Sequence, residues 1–407
     1  MRPYDIALFG VTGFTGRLVA GELLAVARAE GLRLAFAGRS RAKMEAVVAE
    51  LAATWPEARD VPLVEVDITA PATVDALAAQ SRVIATTVGP YGRYGEPVVA
   101  ACARAGTHYC DLTGEVLFMR AMIDAWQPTA VASGARIVFA CGYDSIPSDL
   151  GAWFTERAFA ARFGRPATRV VGLAGETKGG FSGGTVASLA DLFAEATKNP
   201  EVRRILGRPY SLNPNRDHRG ADGRDAFGVA RAPRIGLWTA PFVMAPTNTR
   251  VVRRSHALLG EPWGADFRYE ERMSLPKGLG GLAAAWGIVG FTSVFFGILA
   301  SPLRPLVLRF LPAPGEGPDA KTRTTGFWRM RFVAEDGDDW LVCELGDPNG
   351  DPGYASTARM LSRAAVCLAR DPLTVPGGMW TPASALAEHL VPRLEAAGLT
   401  FVVQARP

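Results

Sequence analysis

At 407 residues, with 48% hydrophobic and 21% charged side chains, the chain has the composition of a folded protein with room for two domains, not of a disordered segment. A net charge of +4 excludes the strongly basic composition of nucleic-acid-binding proteins, so no nucleic-acid partner is expected. Five cysteines without a Cys-x-x-Cys pair, and four histidines without ligand spacing, lead us to expect no metal site, no disulfide framework and a reducing, cytoplasmic compartment.

The predicted elements begin with a short apolar run, Ile6 to Phe9, which meets glycines at 10, 13 and 16 before a helical pattern starts at Arg17. This order predicts strand, tight turn, helix. Gly10 turns the chain, Gly13 admits a diphosphate close to the backbone, and Gly16 allows close helix–strand packing. Thr12, Phe14 and Thr15 fill the places between, where helix-start N–H groups and the helix dipole favour an anion. A dinucleotide-binding unit is expected. The opening run is too short for a signal peptide and already reads as a strand.

The next strand, Leu34 to Ala37, ends in Gly38-Arg39-Ser40-Arg41, followed by Lys43. An NAD site usually carries an acidic residue about 20 positions beyond the glycines, where it holds the ribose 2′-hydroxyl. Here a glycine takes that place and cations follow, which suits a 2′-phosphate held by charge-assisted hydrogen bonds. NADP(H) is therefore the expected cofactor, with Arg39 and Ser40 at its phosphate and Lys43 a solvated helix residue. The third strand, Pro62 to Val66, ends at Asp67, read either as an adenine-edge partner or as the N-cap of the helix after Pro71. The fourth, Arg82 to Val88, runs into Gly89-Pro90-Tyr91-Gly92-Arg93-Tyr94-Gly95. Ligands of open parallel sheets lie outside the carboxyl ends of the strands. Thr86, Thr87, Val88, Gly89 and Pro90 should line the cofactor, with Tyr91 and Tyr94 reaching toward its nicotinamide end.

A helix over 96–105, a strand over 106–110 closing at Asp111 to Glu115, a helix over 116–132 and a strand over 136–140 complete the alternation. Residues 1–150 thus predict a Rossmann domain, a doubly wound parallel sheet. Residues 151–375 predict a second, α+β domain with a mostly antiparallel sheet. Its expected strands are 170–176, 267–273, 327–334 and 340–344. A glycine-rich loop over 178–185 precedes a helix from Val186, and 207–234 reads as a mobile surface loop. Arg250, Arg253 and Arg254 read either as a solvated strand face or as a docking patch for an acidic carrier protein. Residues 361–369 predict a helix, and 376–407 a C-terminal segment with a helix from Thr381 to about Ala397.

One apolar insertion, 278–311, stands apart. Gly278 to Leu303 contains no charged residue, which is long enough to span a hydrocarbon layer, yet six glycines weaken it as a helix. Three readings stay open: a segment dipping into the face of a membrane, a buried apolar hairpin lining a substrate groove, or a true span. Leu306 to Leu311, with Arg304 and Arg309 nearby, reads as an interfacial helix.

Together these motifs resemble the saccharopine dehydrogenase-like oxidoreductases and, within them, the trans-acting enoyl reductases of complex-lipid and polyketide assembly. The resemblance is carried by 10–16, 87–95, 105–115, Cys141 to Asp149, 183–188, 245–255 and 314–318, spread over most of the chain. It implies NADP(H), a second domain for substrate, and reduction of a carbon–carbon double bond in an acyl chain held by a polyketide synthase or an acyl carrier protein. It also implies a homodimer through the second-domain sheet. Saccharopine dehydrogenase itself handles a small, multiply charged amino acid and would need converging cations; the long apolar segment suits a lipid-like substrate better. A non-catalytic NADP-binding protein on a lipid surface, at the inner face of the membrane, is the further alternative.

Hydride transfer to an enoyl thioester needs a hydrogen-bond donor for the enolate oxygen and a proton for the α-carbon. Tyr91 and Tyr94 are the first candidates, Tyr143 and Asp144 the second, with Lys178 and Ser182 from the other domain. Tyr91 and Tyr94 read equally as packing residues, and Asp111 and Asp144 as helix N-caps. Glu115 is expected to complete a capping box with Thr113.

Overall fold

The computed structural model describes residues 2–179, 195, 199–232, 234–299, 301 and 325–404. The expected helix from Val186, Ser182, the 183–188 and 314–318 motifs and the Leu306–Leu311 helix lie outside the described residues. Two compact units emerge among the described residues: 2–143 with 353–397, and the described residues of 144–301 with 325–352 and 398–404.

The first unit is built on a parallel sheet of seven strands in the order β13-β6-β5-β4-β1-β2-β3. Its members are β1 (Tyr4–Phe9), β2 (Leu34–Gly38), β3 (Leu63–Glu65), β4 (Ser81–Thr86), β5 (His108–Asp111), β6 (Arg136–Val138) and β13 (Gly378–Trp380). The central strand β1 buries Ile6, Ala7 and Leu8 on both faces, as a parallel strand covered by helices must. Helices α1 (Phe14–Glu30), α2 (Arg41–Leu51), α3 (Pro71–Gln80), α4 (Tyr91–Tyr94), α5 (Glu96–Ala105) and α6 (Val116–Ser133) follow the strands in turn. The doubly wound architecture is as expected, but its extent differs. Residues 353–375 do not belong to the second domain and 376–397 do not form a separate C-terminal segment: the Thr357–Arg370 and Pro382–Ala396 helices join this unit, and β13 pairs parallel with β6.

The second unit holds a sheet in the order β14-β12-β11-β7-β10-β9-β8. It comprises β7 (Arg169–Lys178), β8 (Ala230–Arg231), β9 (Trp238–Pro241), β10 (Arg268–Leu275), β11 (Phe327–Asp336), β12 (Asp339–Asp347) and β14 (Thr400–Gln404). All pairs are antiparallel except β7 with β10. Helix α7 (Ile146–Phe163) packs on this sheet through Gly151, where an added Cβ would lie 2.1 Å from the Phe332 ring. Val171, Leu173, Ala232, Val333 and Val342 form an apolar cluster against which Trp340 packs.

One expectation about this unit is overturned and a second is corrected in part. Arg250, Arg253 and Arg254 belong to a helix, Ala245–Leu258, and each is only 3% exposed, so they are neither a solvated strand face nor a docking patch. Their charges are compensated inside: Arg250 bonds Asp225 at 2.8 Å, Arg253 pairs with Asp222 at 3.0 Å, and Arg254 donates to the Leu212 carbonyl. Burial without such partners would be prohibitive. The same contacts hold the 207–234 segment down. Leu212 and Asn213 are buried and Asp222 accepts the Tyr269 N–H at 2.9 Å, so the segment is anchored at these points, while residues 214–217 lie exposed at the surface as expected.

The apolar insertion contains one continuous helix, Leu279–Leu299, despite its glycines. Most of it is exposed, so it is not a buried hairpin.

Candidate active site

The carboxyl ends of β1, β2 and β4 meet at the glycine turn. Gly10 adopts φ +99°, and a Cβ there would lie 2.8 Å from both Thr87 Oγ1 and Val88 Cγ2. At Gly16 a Cβ would stand 2.1 Å from the Gly10 carbonyl oxygen, so only glycine lets α1 start this close to β1. Thr87 ties the turn to β4, donating from Oγ1 to the Gly10 carbonyl at 3.2 Å. Gly13 is the N-cap of α1 and offers no side-chain bond to its first turn. The start of a 17-residue helix is thus left for an external anion, with Thr12, Phe14 and Thr15 half-buried around it. The Phe14 ring packs edge-on against Tyr354 at 4.8 Å, a residue the sequence reading missed because it lies far along the chain.

Arg39 is exposed at the end of β2, beside Asp67. Hydrogen bonds from the Thr69 N–H and hydroxyl, with Arg39 nearby, hold the Asp67 carboxyl below its usual range. Asp67 is not the cap of α3; Ala70 holds that position and Pro71 begins the helix. Ser40 caps α2, accepting the Lys43 N–H at 3.4 Å. Val88, Gly89 and Pro90 continue along the edge, half-buried or exposed, through a cis Gly89–Pro90 bond.

The tyrosines separate. The Tyr91 ring is buried, and its hydroxyl donates to the Thr86 carbonyl at 3.0 Å while accepting the Leu112 N–H at 3.2 Å. Burial and the nearby Asp111 carboxylate push this phenol well above its ordinary value. Its hydroxyl is committed to backbone groups of the turn, an arrangement that suits the packing reading better than the proton-donor one. Tyr94, one helical turn on, is 41% exposed at the same edge. Glu115 is not the capping-box partner of Thr113. Its carboxylate reaches across to α4 and accepts the N–H groups of Tyr91 and Gly92 at 2.9 and 2.8 Å.

Beyond β5, Asp111 is fully buried and structural. It accepts from the Ala140 N–H at 2.9 Å, the Thr113 N–H at 3.1 Å and the Tyr109 hydroxyl at 2.8 Å, while burial pushes its carboxyl up to about 7. Ala140 takes a left-handed φ of 60° there, a strained turn held by these bonds. The chain then passes to Tyr143 and Asp144, both half-buried. The Tyr143 N–H donates to Thr357 Oγ1 at 3.2 Å. Asp144 does not cap α7, whose N-cap is Ser145. Among the described residues no hydrogen bond or ion pair reaches its carboxylate, and burial pushes it up to about 6. In the second unit Lys178 ends β7, exposed.

Comparison with known proteins gives this edge its context. A family profile described as the saccharopine dehydrogenase NADP binding domain matches residues 6–138. A Mycobacterium tuberculosis relative named "Putative trans-acting enoyl reductase" is 42% identical over 98% of this chain and 97% of its own length. A Mycobacterium leprae trans-acting enoyl reductase is 39% identical over the same shares. The chain belongs to the saccharopine dehydrogenase-like family, in its trans-acting enoyl reductase subgroup. The family fold extends to the apo saccharopine dehydrogenase (L-Glu forming) of Saccharomyces cerevisiae, with a TM-score of 0.53 and 12% identity over 98% of this chain and 99% of that one.

This saccharopine dehydrogenase-like chain is an NADP-dependent oxidoreductase, and NADP(H) is its cofactor. The residues fit it. The uncapped start of α1 suits the diphosphate, and the exposed Arg39 beside a glycine strand end suits a 2′-phosphate.

Proposed function

We propose that the chain is a trans-acting enoyl reductase that saturates the carbon–carbon double bond of an acyl thioester presented by a polyketide synthase or an acyl carrier protein. The near-full-length likeness to relatives of that name carries this reading. Bound NADPH would supply a hydride to the β-carbon. The protein's share is then to hold the cofactor through Gly10 to Gly16, Arg39 and Thr87 to Pro90, and to deliver one proton to the α-carbon.

Asp144 is the residue best suited to that delivery. Its carboxyl is held near 6 by burial and carries no competing partner among the described residues, so near neutral pH a useful fraction stays protonated. Tyr94 and Tyr143 follow the fourth and sixth strands and are the next candidates to donate to the thioester oxygen once Tyr91 is committed to packing. Lys178 has a supporting part at most, as an exposed side chain at the end of β7.

A small, multiply charged amino acid fits less well. It needs converging cations, whereas the charged cavity of about 390 Å³ in the second unit sets Arg169, Arg224, Arg253 and Arg268 against Asp222, Asp225, Glu270 and Glu271. The deciding experiment is NADPH oxidation with α,β-unsaturated acyl thioesters against panels of keto and amino acids. Turnover confined to the thioesters is expected; turnover confined to amino acids would overturn the reading.

A further inference from the structure

Helices on protein surfaces normally turn charged residues to water and apolar residues inward. The Leu279–Leu299 helix does the reverse. Its inner side is lined by small residues: Gly281 lies against Trp238, whose indole donates to the Gly278 carbonyl at 2.9 Å, and Ala285 is fully buried. Its outer side presents Leu279 (84% exposed), Trp286 (60%), Phe291 (71%) and Val294 (63%). The hydroxyl of Ser293, also on that side, is spent on the Val289 carbonyl at 2.7 Å.

We propose that this helix is a lipid-bilayer insertion element that fastens the protein to one face of a membrane. Three observations favour lipid over a protein partner. The helix has 21 residues, about 31 Å of length, and offers no charge along it. A protein interface carries roughly one hydrogen bond per 100–200 Å² and a polar rim, and this face supplies neither. Charge flanks it instead. Lys277, exposed, precedes it, where an anionic headgroup would meet it. The insertion is one-sided. β10 before it and β11 after it both hydrogen-bond to β7, so the chain enters and leaves from a single sheet.

This inference is independent of the hydride chemistry, and its test does not use turnover. The purified full-length protein is floated on a density gradient with vesicles of phosphatidylcholine, with and without phosphatidylglycerol. We expect most of the wild type to rise with the vesicles and to stay bound in high salt. The triple variant Trp286→Glu, Phe291→Glu, Val294→Glu should lose at least about tenfold in partitioning, since charges at exposed positions cost nothing in packing but much in hydrocarbon. Its NADPH affinity, followed by cofactor fluorescence, should match the wild type and so report intact folding. The proposal fails if the wild type stays in the lower fractions, if high salt strips it completely, or if the triple variant floats equally well. It also fails if the wild type forms oligomers that the triple variant abolishes while neither floats.

Discussion

Glu115 and Tyr91 stand 24 positions apart in sequence, yet the Glu115 carboxylate accepts the Tyr91 N–H at 2.9 Å and so fixes the start of the short α4 turn at the cofactor edge. The neighbouring Gly92 N–H binds the other oxygen. Glu115→Ala removes both acceptors; the exposed Gly92 N–H can turn to water, so the loss of about 1–3 kcal/mol comes from the part-buried Tyr91 N–H left unsatisfied. Urea unfolding should show a loss in that range, and Glu115→Gln, which keeps one acceptor, should lose less. Equal losses for the two variants would mean that the carboxylate does not cap α4.

Tyr91→Phe separates packing from catalysis. The phenol bridges the Thr86 carbonyl and the Leu112 N–H, both backbone groups. Its removal should cost about 1 kcal/mol of stability in a thermal melt. The rate of NADPH oxidation at saturating substrate should change by less than about threefold, well short of the loss expected for a proton donor. A fall of a hundredfold or more would return Tyr91 to the chemistry.

The contrast between these residues explains what could be read from the chain beforehand. The glycine turn was legible because Gly10 and Gly16 satisfy constraints local to one strand and one helix. The Tyr91 hydroxyl was not, since its partners depend on where β4 and the turn after β5 end. β13 is only three residues long and pairs with β6 from far along the chain, so no local pattern announces it. The arginines of Ala245–Leu258 misled for a related reason. Their neutralising partners, Asp222 and Asp225, lie in a stretch whose composition reads as solvent-exposed loop. Asp144 was singled out by its place after the sixth strand, but its elevated carboxyl follows from burial alone.

Stability should fall as pH rises through the neutral range. Burial raises Asp111 to about 7, Glu271 to about 7 and Glu156 to about 8, all above their values in an unfolded chain. The folded state binds more protons than the unfolded one between roughly pH 4 and pH 8, so each step upward favours unfolding. Asp5 and Asp371, held low, act oppositely at acid pH, and the half-buried His108 and His256, also held low, oppose the trend below about pH 6.5, but the three raised carboxyls outweigh them across the window. Melting temperatures should therefore be higher near about pH 5.5 than near about pH 8.5, and Glu156→Gln should flatten the slope. A profile that rises over this window would show that these carboxyls are not buried as described.

Arg39 should choose between the two nicotinamide dinucleotides. It is exposed, so solvent screening limits its contribution, and Arg39→Ala should weaken NADPH binding by about tenfold, or about 1.4 kcal/mol. NADH affinity should not change, because that ligand lacks the 2′-phosphate. Fluorescence titration of both cofactors measures the ratio. An equal loss for both would place Arg39 at the diphosphate or outside the site.

Asp144→Asn bears on the proton itself. The side chains are nearly isosteric, so cofactor affinity and melting temperature should stay close to the wild type. If Asp144 supplies the α-carbon proton, the maximal rate should fall by about 10²–10⁴-fold. The wild-type rate should also decline as pH rises through about 6, because the protonated carboxyl is the active form. The variant should lose that inflection. An unchanged inflection would assign the titration elsewhere, with Tyr94→Phe and Tyr143→Phe the next substitutions to measure. A rate loss without any pH signature would make Asp144 a positioning residue for the turn that follows Ala140, not the acid.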